Sequence, residues 1–236
     1  MNKFEELDWS PTPLGDISLR RRLEPTLLID VYEAKLGDEF LMSSLFTAAE
    51  VALADHGLAA IAGGDLDVVV GGLGLGYTAE AVLRDPRVRS LHVVEALDEV
   101  IGWHRRGLLP VSQGLTSDPR CHLVHGDFFA TVAAGSGFGP GAPDRVDAIL
   151  VDIDHTPRRL LHPSHASFYG PEGQRRLAGR LDPGGVFALW SDDPPDEGFV
   201  AVVEGVFGSC EAHVVSFPNP LTGGDATNSV YVVTVP

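Results

Sequence analysis

Glycine, carboxylate and imidazole residues recur at the ends of apolar runs in this sequence. Asp67 to Ala81 reads DVVVGGLGLGYTAEA, an apolar run followed by a glycine-dense turn and the start of a helical pattern. The next run, SLHVVEA, delivers Glu95, and CHLVHGDFF delivers Asp127 and Phe128. A fourth, DAILVDIDH, delivers Asp152, Asp154 and His155. A glycine turn lets a ligand approach the backbone closely, and free N–H groups at a helix start favour a negatively polarised group. A carboxylate about 20 residues beyond such a turn can accept hydrogen bonds from both hydroxyls of a ribose. A further carboxylate or imidazole can orient a nucleophile and take its proton. These residue types describe a nucleoside clamp beside a proton acceptor.

They work together only if strand ends bring them to one edge. ISLRRR and LLIDVYEAK read as two strands of a hairpin turning near Glu24-Pro25. DEFLMSSLFTAAEVALADHGL has apolar residues at helical spacing and predicts a helix from about Asp38, with Gly57 as its C-cap. Strands and helices then alternate: LDVVVGG, TAEAVLRD, SLHVVEA, LDEVIGWHRRG, CHLVHGD, DAILVDID, EGQRRLAGRL, GGVFALWS and EGFVAVVEGVF. That alternation predicts an α/β fold with a doubly wound, mainly parallel, Rossmann-like sheet covered by helices on both faces. AHVVSF and SVYVVTV have no helical pattern between them and predict an antiparallel edge hairpin at the C-terminus. The expected division is an N-terminal β-hairpin extension at 1–40 and a transferase domain at 41–236. Ligands of open α/β sheets bind outside the carboxyl ends of the strands, where all the residues above fall.

Composition removes several classes of function. A net charge of −16 disfavours nucleic-acid binding, which needs clustered Lys and Arg to displace counterions from phosphates. The one basic run, Arg20-Arg21-Arg22, reads as a solvated strand edge. The first residues carry acids and prolines rather than a basic flank before an apolar run, and no long apolar stretch follows, so a soluble cytoplasmic protein without a membrane partner is expected. Cys121 and Cys210 lie far apart with no CxxC spacing and predict buried free thiols. His155, His162 and His165 have the types of metal ligands, but histidines in a proline-bearing loop read as surface or substrate-facing, and no metal is expected.

Gly74 to Ala79 also fits the G-x-G-x-x-A variant of the dinucleotide fingerprint, so an NAD-dependent oxidoreductase is one reading of the turn alone. The successive motifs VVVGGLGLG, VVEALDEVI, HGDFF, ILVDIDH and LDPGGVFALW resemble those of class I S-adenosylmethionine-dependent transferases. Within that group the sequence is most similar to spermidine synthases over roughly Asp38 to Trp190, with DEF at Asp38 to Phe40 resembling the segment before their gate helix. The resemblance implies S-adenosyl-L-methionine, or its decarboxylated form, as donor. It implies that Gly72, Gly74 and Gly76 pass close to the methionine portion, that Glu95 holds the ribose, and that Asp127 accepts from the adenine amino group with Phe128 beside the ring. Asp152 stands where the family keeps the acid that receives the attacking amine.

Three polyamine contacts of that family differ here. Gly74 takes the place of the aspartate that binds the donor's aminopropyl amine; LMSSLFT at Leu41 to Thr47 replaces the Tyr, His and Glu after DEF; and His155 replaces a second aspartate. A glycine turn at a helix N-terminus tolerates the carboxylate of intact S-adenosylmethionine better than an aspartate would. The expectation is therefore an alkyl transferase acting on a small molecule, an amine among the candidate acceptors, with methyl transfer slightly favoured over aminopropyl transfer. Asp152 is the expected proton acceptor and His155 the alternative. Trp103 and His104 are expected on a helix face against the sheet, and Trp190 with Ser191-Asp192-Asp193 at the acceptor side. A catalytically silent nucleoside-binding protein and a homodimer are both left open.

Overall fold

The computed structural model describes residues 4–236, so the first three residues of the expected extension lie outside the described residues. The N-terminal part is a four-stranded antiparallel sheet in sequence order: β1 (Phe4–Thr12), β2 (Gly15–Glu24), β3 (Ile29–Leu36) and β4 (Glu39–Ser43). The expected hairpin is its centre, with Glu24 opposite Ile29 and Ile17 opposite Leu36. Arg20, Arg21 and Arg22 therefore lie on an interior strand and not on a solvated edge. Arg20 and Arg22 both donate to Glu33, Arg22 also to Glu24, and Arg21 to Glu5, so carboxylates of the neighbouring strands and of β2 itself neutralise the run.

The helix expected from Asp38 starts later. α1 is Ala48–Ala59, and Glu39–Ser43 pairs with β3 instead, Met42 opposite Ala34 and Phe40 opposite Lys35. Over so short a stretch Phe40, Leu41 and Met42 suit either period, and the waiting edge of β3 decides the outcome. Gly57 is not a C-cap but a buried position within α1; a Cβ there would stand 2.6 Å from Leu150, so its absence lets the helix lie close on the sheet.

The second sheet has seven strands: β5 (Leu66–Gly71), β6 (Val88–Glu95), β7 (Cys121–His125), β8 (Val146–Val151), β9 (Leu181–Ser191), β10 (Glu211–Pro218) and β11 (Asp225–Thr234). Their order is β10-β11-β9-β8-β5-β6-β7. β5 to β9 are parallel, and β11 runs antiparallel to both β9 and β10, so the C-terminal hairpin forms one edge as its sequence predicts. The connections carry α2 (Tyr77–Arg84), α3 (Asp98–Arg105), α4 (Ser112–Ser117), α5 (Phe128–Ala134), α6 (Pro171–Ala178) and α7 (Glu197–Phe207); the short α4 and α5 have no counterpart in the strand–helix series expected from the sequence.

Side chains alternate across each strand, and the core accordingly divides in two. Val68, Val70, Ala148 and Leu150 face α1 to α4, whereas Val69, Ile149, Val151 and Phe187 face α5 to α7. No helix among the described residues is long and apolar enough to cross a membrane. Cys121 and Cys210 are free and half-buried.

The two sheets are tied by a polar contact. The fully buried Trp103 of α3 donates its indole N–H to Asp8 of β1 at 2.7 Å, and Arg106 also donates to Asp8 at 2.6 Å. Asp8→Ala leaves the buried indole N–H without an acceptor, which costs about 1–3 kcal/mol. A melting-temperature drop of roughly 2–4 °C per kcal/mol is expected by calorimetry. An unchanged midpoint would show that this contact does not hold the sheets together.

Candidate functional site

The carboxyl ends of β5, β6, β7 and β8 open on one cavity of about 850 Å³. It is lined by all eight residues singled out in the sequence: Gly72, Gly74, Gly76, Glu95, Asp127, Phe128, Asp152 and His155. β5 and β8 are neighbours in the sheet, and their ends meet so closely that a Cβ on Gly72 (φ +95°) would overlap the Asp152 carbonyl oxygen. Only glycine fits there, with or without a ligand. At Gly74 the side-chain space is already filled, since a Cβ would stand 2.7 Å from Met42 Sδ. The turn is fixed from below by His104, whose Nε2–H donates to the Gly74 carbonyl at 2.9 Å and whose burial lowers its pKa toward the neutral ring. Trp103 and His104 thus occupy the packed helix face expected of them.

Glu95, at the end of β6, accepts from the Leu73 and Leu97 N–H groups, both at 2.9 Å. Burial nonetheless pushes its pKa above the ordinary carboxyl value. Asp127 caps α5, one oxygen accepting from Ala130 N–H at 2.9 Å, and its side chain is exposed at the rim. Phe128 is buried, its ring filling the place of a side chain on Gly71.

Asp152 follows β8 and accepts from Thr78 Oγ1 of α2 at 2.7 Å. Burial pushes its pKa up to about 6 against that hydrogen bond. A second carboxyl, which sequence reasoning missed, belongs to the same place. Glu50, in the first turn of α1, lines the cavity and is pushed up to about 8 by burial and by the charge of Asp152. An acid in a first helical turn ordinarily complements the helix dipole, so nothing in the sequence marks Glu50 as a site residue. Its role appears only when α1 crosses the end of β8.

Asp154 does not face the cavity. It is fully buried and accepts from Leu161 N–H at 2.7 Å, His165 Nδ1–H at 2.8 Å and the Tyr169 hydroxyl at 2.9 Å, which pins the loop after β8. His165 stacks on Phe129 with centroids 4.0 Å apart. His155 Nε2 lies 3.0 Å from Glu39 of β4, joining that loop to the N-terminal sheet across the cavity mouth. Among the described residues no group of three His, Cys, Asp or Glu is placed to hold a metal ion. Trp190 near the end of β9 and Asp192 just past it line the same cavity, Asp192 paired with Arg159 at 2.6 Å and with Asn228 at 3.0 Å.

No protein-family model matches the sequence. Polyamine aminopropyltransferase 2 of Pseudomonas aeruginosa is 28% identical to it over 166 residues, which are 66% of this chain and 44% of that protein. The chain thus matches less than half the length of that curated relative. The spermidine synthase of Thermotoga maritima superposes over 98% of this chain and 73% of its own, with a TM-score of 0.74 at 18% identity. A spermidine synthase in complex with the transition-state analogue AdoDATO superposes over 98% of this chain and 74% of its own, with a TM-score of 0.75 at 17% identity. The chain has the spermidine synthase-like, class I methyltransferase-like fold that its motifs resemble.

The raised carboxyls make stability depend on pH. The folded chain holds protons on Glu50 and Asp152 that the unfolded chain releases, so their contribution is full below the ordinary carboxyl range. It is lost as pH rises through about 6 and about 8. Glu50→Gln, which cannot ionise, should raise the denaturation midpoint above the parent's at about pH 8 and leave the two equal near about pH 4. Parallel curves at all pH values would show that Glu50 ionises normally.

Proposed function

We propose that this chain transfers an aminopropyl group from decarboxylated S-adenosylmethionine to an amine. The observation that carries the reading is the pair Glu50 and Asp152. The two carboxyls share the part of the cavity next to the glycine turn, with no cation among the described residues acting on either. Intact S-adenosylmethionine would bring a third carboxylate toward them. The decarboxylated donor brings only its amine, and an ammonium beside the pair restores both acids to their charged forms. The preference for methyl transfer, argued from the glycine at position 74, therefore gives way to aminopropyl transfer. An aspartate at that position would meet Met42, and the acid for the donor's amine comes instead from α1 as Glu50. Similarity to a polyamine aminopropyltransferase supports the same reading.

The sulfonium of the donor makes the adjoining carbon of its aminopropyl chain electrophilic. The protein's residues bind and orient around that centre. Glu95 accepts from the ribose hydroxyls, Asp127 uses its non-capping oxygen for the adenine amino group, and Phe128 backs the ring. Asp152 orients the attacking amine. As the N–C bond forms and the C–S bond breaks, the bonding pair goes to sulfur and the amine's proton to Asp152. The product is a neutral thioether, methylthioadenosine, with the alkylated amine. His155 is the weaker candidate for the proton, since its Nε2 is engaged with Glu39.

Calorimetry should show the decarboxylated donor binding at least about 10-fold more tightly than S-adenosylmethionine, with that advantage lost in Glu50→Gln. Asp152→Asn should lower turnover by about 10²–10⁴-fold, a larger effect than on donor affinity. Equal or tighter binding of the intact donor, together with formation of its demethylated product, would restore methyl transfer. Full activity of Asp152→Asn with loss in His155→Ala would move the proton acceptor to His155.

A further inference from the structure

We infer that His165 reads the nucleobase of the donor: its Nε2 accepts one proton of a purine 6-amino group while Asp127 accepts the other. The inference rests on the nucleoside placement in the reading above. The loop after β8 leaves the sheet at Asp152, passes the end of β9, where the His155 carbonyl takes Asp192 N–H, and returns through a single 3-10 turn at Pro163–Ser167. That return lays His165 on Phe129, two residues past Asp127 in the first turn of α5. Asp127, Phe128, Phe129 and His165 all line the cavity. The imidazole thus stands beside the part of the cavity assigned to the base.

The surroundings of the ring decide what it offers there. Both oxygens of the buried Asp154 face Nδ1–H, at 2.8 and 3.1 Å, and Asp154 is itself held by Leu161 N–H and the Tyr169 hydroxyl. With its proton kept on Nδ1 and one face on Phe129, the ring has one orientation. Its Nε2 has no partner among the described residues and is not sealed from solvent, so the neutral ring shows the cavity a lone pair, an acceptor only. His162, with its ring centroid 5.9 Å away, is of the opposite kind: its Nδ1 accepts from Ser164 N–H, which leaves the proton on its Nε2. Asp127 uses one oxygen for Ala130 N–H and keeps the other open. Two acceptors therefore stand at the base. A 6-amino group has two protons to give them, whereas a 6-oxo group has none and sets its lone pairs against both.

The test is calorimetric binding of methylthioadenosine, methylthioinosine and N6-methyl-methylthioadenosine to the full chain. Methylthioadenosine should bind at least about 100-fold more tightly than methylthioinosine and about 10-fold more tightly than the N6-methyl compound, which has one proton fewer to give. His165→Phe keeps a ring on Phe129 and removes the acceptor. It should weaken methylthioadenosine by about 10-fold and leave methylthioinosine unchanged, whereas loss of a ring that only packs the loop would weaken both alike. Equal shifts for the two nucleosides in His165→Phe, or no shift, would overturn the role of His165 and leave the nucleoside reading standing. So would N6-methyl-methylthioadenosine binding the unaltered chain as tightly as methylthioadenosine, a comparison that needs no variant to fold. No binding of any of the three would overturn the nucleoside reading and this inference with it.

Discussion

Two carboxyl groups, Glu50 and Asp152, are buried in one cavity without a counter-charge among the described residues. Burial alone makes a carboxylate costly, and a second one beside it raises the cost, so both hold protons to higher pH than an exposed acid would. Protonation relieves that cost, and a bound cation would relieve it with both acids charged. The rest of the site can be read as the apparatus that brings the two acids together. Gly72 lets β5 and β8 end side by side, Thr78 draws Asp152 under the turn, and α1 passes over the end of β8 close enough that Gly57 carries no side chain.

Around that pair the sheet divides its labour by strand order. β5, β6 and β7 contribute glycines and two acids whose oxygens are steadied by backbone N–H groups. β9, β11 and β10 bring Trp190 and Phe217 to the cavity together with the polar Asp192, Thr227 and Asn228. The acids thus sit at the boundary between the two halves, next to the switch point between β5 and β8, where open α/β sheets place their reacting groups.

The N-terminal sheet is part of the same apparatus. Met42 of β4 fills the space beside Gly74, and Glu39 of β4 reaches His155. Asp8 of β1 is held by Trp103 and Arg106, on and just past the helix that fixes the glycine turn through His104. Asp154 performs the corresponding task on the other side, gathering Leu161, His165 and Tyr169 so that the loop after β8 keeps one shape. An acid in the motif ILVDIDH therefore has two different fates two residues apart, one buried as scaffold and one facing the cavity.

The sequence by itself determined the alternation of strands and helices, the parallel sheet with its antiparallel edge, and the set of strand ends that meet at one cavity. Those follow from period and from glycine and acid placement, which are local properties of the chain. It misjudged the stretch from Asp38 to Thr47, because five residues suit a strand or a helix equally until a partner strand is present. It misplaced Arg20 to Arg22 for the same reason, since an edge and an interior strand differ only in what lies beside them. Glu50 was invisible because a first-turn acid has an ordinary explanation, and the lack of a counter-charge is a property of neighbours 102 residues away in the chain at Asp152. Tertiary structure alone brings these two acids together and raises their pKa values, because the cost of a buried charge depends on distance in space and not on position in sequence.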